Sequence, residues 1–127
     1  MRLWHEALLS DLPRAQLLGQ HRECCALRGN SWGKPHATVD YVFDYSPIQL
    51  YRYHRKVMDE MQRRGYQVDP LWDDPCYRGK NCAPYREREI EKRTTNVSDP
   101  VYPEHDETYL YECIENLRAK GAEIRPK

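Results

Sequence analysis

Between Ser46-Pro47 and Gly65 the chain sets Leu50, Tyr53, His54, Val57, Met58 and Met61 at helical spacing. This apolar stripe, bounded by a start signal and a stop signal, constrains the fold more than any other feature. Serine then proline supplies an N-cap and a first residue whose φ is already helical, and Gly65 suits the left-handed position past the end. Two further segments share the period. In the first, Ser10 or Asp11 is placed to cap a helix with Pro13 in its first turn; Leu17, Leu18, His21, Cys24 and Cys25 then recur on one arc until Arg28-Gly29-Asn30 stops it. The other runs from about Asp106 to Lys120, burying Leu110, Cys113, Ile114 and Leu117 and ending at Gly121. The stretch Met61 to Pro70 parallels Leu117 to Pro126, a glycine cap, a trailing apolar residue and a proline stop, which is capping physics and not a functional repeat.

The expected fold is therefore mainly α, a compact single domain over residues 1–127 with three main helices and long irregular connections. Apolar residues make up 39% and charged ones 31%, so ten Tyr against one Phe must help close a modest core while keeping hydroxyls available. Residues 38–43 alternate too poorly to settle strand against helix. From Asp69 to Glu104 five prolines interrupt any period, apart from a charged Tyr85-to-Arg93 stretch with helical potential.

Several function classes fall away. No apolar run reaches 18 residues and the first residues lack a signal peptide's apolar stretch, so a soluble, cytoplasmic chain with no membrane partner is expected. Five cysteines, two of them adjacent, do not make a secreted disulfide framework. His5, His21, Cys24, Cys25, His36, Cys76 and Cys82 invite a metal, but no C-x-x-C is present and Cys24 and Cys25 sit on an apolar arc, so no metal or other cofactor is expected. His21 and His54 read as hydrogen-bonded core histidines, and Trp4 and His5 as packing residues; Trp32 and Trp72 lie in turn-rich loops where stacking and anchoring cannot be told apart. No Gly-rich phosphate loop or paired-carboxylate metal motif supports nucleotide hydrolysis.

Chemistry enters through Arg22-Glu23, a guanidinium and a carboxylate on the first helix, which the helical wheel puts at and beyond the border of the apolar arc. Breaking an N-glycosidic bond builds positive charge on the sugar, which a carboxylate such as Glu23 steadies. An amine that then attacks C1′ must be unprotonated near neutral pH, and an α-amine, with a pKa of roughly 7.7–8.0, meets that condition far better than a lysine at about 10.4. Lys plus Arg equals Asp plus Glu at 20 each, so local clusters must supply any affinity for nucleic acid. Arg52, Arg55, Lys56, Arg63 and Arg64 lie on the second helix among Tyr51, Tyr53 and Tyr66, and Arg78 and Lys80 flank Gly79 in a small basic loop. The first set also reads as a solvated helix face.

The order Ser10, Asp11, Leu12, Leu17, Arg22, Glu23 resembles the first helix of the phage-type pyrimidine-dimer DNA glycosylase/AP-lyase family, also called the endonuclease V type. The resemblance is best over residues 1–70, through Arg64-Gly65-Tyr66, with an echo at Tyr77-Arg78-Gly79. It implies a DNA repair enzyme acting on damaged or abasic duplex DNA through an imine at the amino terminus, with Glu23 as acid/base. It also implies Arg22 as a phosphate contact, with Arg28 able to serve for an arginine that relatives carry where this chain has Ala26; Arg2 is a further expected nucleic-acid contact. Relatives expose a small residue after losing the initiator methionine; Arg2 is large and predicts that Met1 is kept, so Met1 is the expected nucleophile. The rival expectation is a non-catalytic helical module that binds nucleic acid or protein, zinc-stabilised in one version.

Overall fold

The computed structural model describes residues 2–29, 41–42, 45, 47–80, 82–86 and 101–121. Three α-helices organise them: α1 (Arg14–Arg28), α2 (Pro47–Arg63) and α3 (Glu107–Ala119), with short 3₁₀ turns at Glu6–Asp11 and Pro70–Asp73. No strand occurs among the described residues. The mainly helical reading holds, and apart from the start of α1 the helix ends fall within a residue or two of the sequence signals.

The start of α1 differs. Ser10 and Asp11 finish the first 3₁₀ turn and do not cap α1, which opens after Pro13 without a side-chain cap. The cause is local: a residue preceding proline is pushed out of the helical region, and Leu12 at φ −65°, ψ 135° is extended, as is Pro13 at ψ 156°. Helix α2 opens at Pro47 as expected; its proposed cap, Ser46, lies outside the described residues. Both later helices close on a glycine with positive φ, Gly65 at 85° and Gly121 at 88°. After α2 the Tyr66 N–H returns to the Met61 carbonyl at 2.9 Å, satisfying a carbonyl the helix leaves open. Asp106 caps α3, its side chain accepting from the Tyr109 N–H. Of the uncertain stretches, residues 38–40, 43 and 87–93 also lie outside the described residues, and Tyr85 and Arg86 are not helical.

All six residues expected on the inner face of α2 are buried, and Leu50, Tyr53, Val57 and Met61 share one core with Leu17, Cys24 and Leu27 of α1, the Leu3 to Leu12 segment, and Cys113, Ile114 and Leu117 of α3. Segment 101–106 joins this core through Val101 and Tyr102, held by bonds from Gln49 Nε2 to the Val101 carbonyl (3.0 Å) and from the Val101 N–H to Glu6 (2.9 Å). Beneath it His105 stacks on His5 and lies 2.8 Å from the Tyr41 hydroxyl.

These histidines give stability a pH dependence. Burial lowers His105 to about 3, assisted by His5 and opposed by Asp106; burial, then Arg28, His21 and Arg55, holds His54 well below its ordinary value. Once unfolded, both return to about 6.5, so below that pH the unfolded chain binds protons the folded one refuses. Stability therefore falls as pH drops through 6.5, by up to about 1.4 kcal/mol per pH unit for each histidine. The urea midpoint should drop between pH 7 and 5 and His105→Gln should flatten that drop; a midpoint unchanged over the range contradicts the account.

Candidate active site

Three helices each send one side chain to the backbone of residues 2–4. From α1, Gln20 accepts from the Trp4 N–H at 2.6 Å and donates to the Arg2 carbonyl at 3.2 Å. From α2, the Tyr53 hydroxyl sits 2.5 Å from the Trp4 carbonyl and 2.9 Å from Gln20 Oε1. From α3, the Tyr109 hydroxyl donates to the Leu3 carbonyl at 2.5 Å. An amide side chain carries donor and acceptor together, so one glutamine can grip an N–H and a C=O of the same extended segment. Gln20 and Tyr53 are buried, where losing either partner would strand polar groups. Trp4 and His5 are buried as expected, and His5 accepts from the Ala7 N–H to start the 3₁₀ turn. Met1 lies outside the described residues.

An inversion on α1 accompanies this clamp. The apolar arc put Glu23 further from the core than Arg22, yet Glu23 is only 7% exposed while Arg22 is exposed. Residues 20, 23, 24 and 27 are all buried, Gln20 against the incoming backbone and Cys24 and Leu27 in the core, whereas Arg22 is exposed and lines a pocket. A face covered by main chain needs polar partners, so it does not read as apolar in the sequence. Glu23 stands one helical turn beyond Gln20.

On the other side of α1 lies a pocket of about 400 Å³ whose walls include His21, Arg22, Cys25, Trp72, Arg78 and Lys80. Helix α1 reaches the 78–80 loop closely: a Cβ on Gly29 would stand 3.1 Å from the Arg78 carbonyl. Gly79 adopts φ 95°, the backbone state that favours glycine. Arg78 Nε donates to the Arg28 carbonyl at 2.8 Å, and its guanidinium lies 4.3 Å from the Tyr85 ring centre. Trp72 forms an edge contact with Tyr77 and lies beside His54, which makes it an anchor as well as a wall. Trp32 and His36 lie outside the described residues.

The expected DNA contacts separate into groups. Arg22, Arg78 and Lys80 meet at this pocket. Arg55 is bound to Asp59 and Asp73, Lys56 lies 3.8 Å from Glu6, and Arg63 and Arg64 both hold Glu60. Arg52 is half-buried on α2. Arg2 lies 3.5 Å from Glu112 of α3, over the rings of Trp4 and Tyr109. Arg28 does not suit the phosphate contact expected of it. It is 2% exposed and donates to the carbonyls of Trp72 (2.8 Å) and Asp74 (2.5 Å), with His54 Nδ1 at 3.0 Å. Its guanidinium closes the 72–74 turn onto α1, and burial lowers its pKa.

Gln20, Tyr53 and Tyr109 escaped the sequence reading as a set. The available signal was Gln20, a polar residue between Leu17 and Cys24 on an inward stripe, where a side chain needs a hydrogen-bond partner. No curated protein and no solved structure matches the chain. A family model described as pyrimidine dimer DNA glycosylase matches residues 1–74, the stretch that holds the clamped segment, α1, α2 and the turn carrying Trp72. On that match, which spans more than half of the sequence, the chain belongs to the pyrimidine dimer DNA glycosylase family.

Proposed function

We propose that this glycosylase releases a damaged base from duplex DNA through an imine formed by the α-amine of Met1, and then nicks the strand as an AP lyase. The supporting observation is the clamp: Gln20 fixes the Arg2 carbonyl one helical turn from Glu23. One residue step covers about 3.8 Å, and Gln20 and Glu23 are separated by about 4.5 Å along the axis of α1. In this reading the clamp is what presents an amine at the start of the chain and the Glu23 carboxylate to one sugar.

In this scheme the amine nitrogen bonds to C1′ as the C1′–N bond to the base breaks, the base leaving with the electron pair and taking up a proton. Glu23 steadies the cationic sugar. Loss of a proton from nitrogen and opening of the ring give the imine. Removal of a C2′ proton, for which Glu23 is the base, then expels the 3′ phosphate by cleavage of C3′–O3′, and water hydrolyses the imine to restore the amine. Arg22, Arg78 and Lys80 meet the phosphates beside α1, with Arg2, Arg52, Arg55 and Lys56 as outer contacts.

Borohydride reduction during incubation with an abasic duplex tests this. The expected product is a covalent adduct whose peptide map places DNA on Met1. An adduct on an internal lysine overturns the Met1 assignment, and salt-dependent binding with neither adduct nor nick selects the non-catalytic module.

A further inference from the structure

The pocket side of α1 contains a chain of hydrogen bonds that the scheme above does not use. It begins at Arg28, whose guanidinium only donates, so the His54 Nδ1 it faces at 3.0 Å must be the acceptor. A neutral His54 then carries its proton on Nε2, which lies 2.8 Å from His21 Nδ1 and donates to it. His21 is left with its proton on Nε2. The Cys25 sulfur, a weak acceptor, lies 3.8 Å from that nitrogen, and both residues line the pocket with Arg22, Arg78 and Lys80.

We propose that His21 is a DNA-contacting residue that works as a neutral imidazole, giving its Nε2–H to a phosphodiester oxygen seated among Arg22, Arg78 and Lys80. The assignment rests on the DNA-cleaving reading. The cationic walls select an anionic oxygen, and the buried Arg28 sets the tautomer through His54. Besides each other, the charged groups acting on the two rings are Arg22, Arg28 and Arg55. All three are cationic, and with burial they hold both histidines below their ordinary pKa, so neither ring gains a proton near neutral pH.

The same side chains pose a rival. Donor atoms of His21, Cys25 and His54 lie within 4.8 Å of one another, as a metal site requires. A metal on His54 Nε2 would move the ring proton to Nδ1, where an Arg28 N–H already points, and would set a dication near a buried guanidinium. Donor would face donor, so the hydrogen-bond relay is the better fit.

Two measurements decide. Nitrogen-15 NMR of the full chain at pH 7 should show His21 and His54 as neutral Nε2–H tautomers. An Nδ1–H or doubly protonated ring, or stoichiometric zinc bound through these residues, overturns the proposal. Binding to a duplex carrying a tetrahydrofuran abasic analogue should weaken roughly 10-fold in His21→Ala, as for a hydrogen bond to a charged group. His21→Gln, which also reaches with an N–H, should recover most of that loss. Because a neutral donor releases no counterion, the slope of log K against log salt should stay at the wild-type value in His21→Ala, while Lys80→Ala lowers it by about 1. A fall of about 1 in His21→Ala makes His21 a cation and overturns the neutral role. If the wild type binds and nicks but His21→Ala binds equally well, the His21 role alone falls; if the wild type binds no duplex, the enzymatic reading falls and takes this contact with it.

Discussion

Glu23→Gln is expected to lower base release by about 10²–10⁴-fold while leaving the fold and the affinity for abasic duplex close to wild type. The substitution keeps the volume of a side chain that is only 7% exposed, so packing on α1 survives. In the proposed scheme it removes negative charge at the point where the sugar becomes cationic, and the base that takes the C2′ proton. Single-turnover cleavage of the N-glycosidic bond in a dimer-containing duplex, read after photoreversal of the dimer frees the base, measures the first effect. Borohydride trapping on a ready-made abasic site separates the second, because imine formation there needs no glycosidic cleavage; trapping should persist in Glu23→Gln while nicking slows. Loss of base release by less than 10-fold would place the acid elsewhere, and loss of affinity in proportion to rate would reduce Glu23 to a structural part of α1.

Much of this arrangement was legible because it follows from local periods and stop signals. The stripe from Leu50 to Met61 is buried as read, and Gly65, Asp106 and Gly121 take the capping roles their chemistry demands. Arg22-Glu23 stood out by residue order. What stayed hidden depends on which piece of chain covers which face. Glu23 reads as an outward residue and is buried, and Gln20 beside it holds the backbone of residues 2–4, a partner made of main chain that nothing in a helical wheel foretells. Arg28 reads as a surface cation at a helix end, yet the 72–74 turn closes over it and offers carbonyls, a contact 44 residues away in sequence. The α2 cations similarly read as a basic stripe until Asp59, Asp73, Glu60 and Glu6 are found against them. Net charge of zero already hinted that most cations would find such partners.

Gln20→Leu should be nearly as damaging to turnover as loss of the carboxylate, although the scheme gives Gln20 a positioning role and no part in the bonds made or broken. Leucine matches its bulk but cannot hold the Trp4 N–H and the Arg2 carbonyl, so the segment leading to the amine loses its register on α1. A misplacement of about 1 Å at a reacting group costs on the order of 10²-fold, and that is the expected fall in kcat and in the rate of borohydride trapping. The two stranded backbone groups add a stability loss of about 1–3 kcal/mol each unless water reaches them, which thermal melting reads separately. The positioning role predicts a split that general destabilisation does not: duplex affinity and its salt slope unchanged, kcat reduced, and trapping on abasic DNA reduced in the same ratio. Tyr109→Phe, which releases the Leu3 carbonyl from α3, should show the same pattern at smaller amplitude. Acetylation of the α-amine supplies the upper bound, since an amide nitrogen cannot attack C1′ and trapping should vanish with affinity retained. Full trapping by Gln20→Leu would mean that the amine finds the sugar without the clamp, and the geometry that links the start of the chain to Glu23 would then have no part in the reaction.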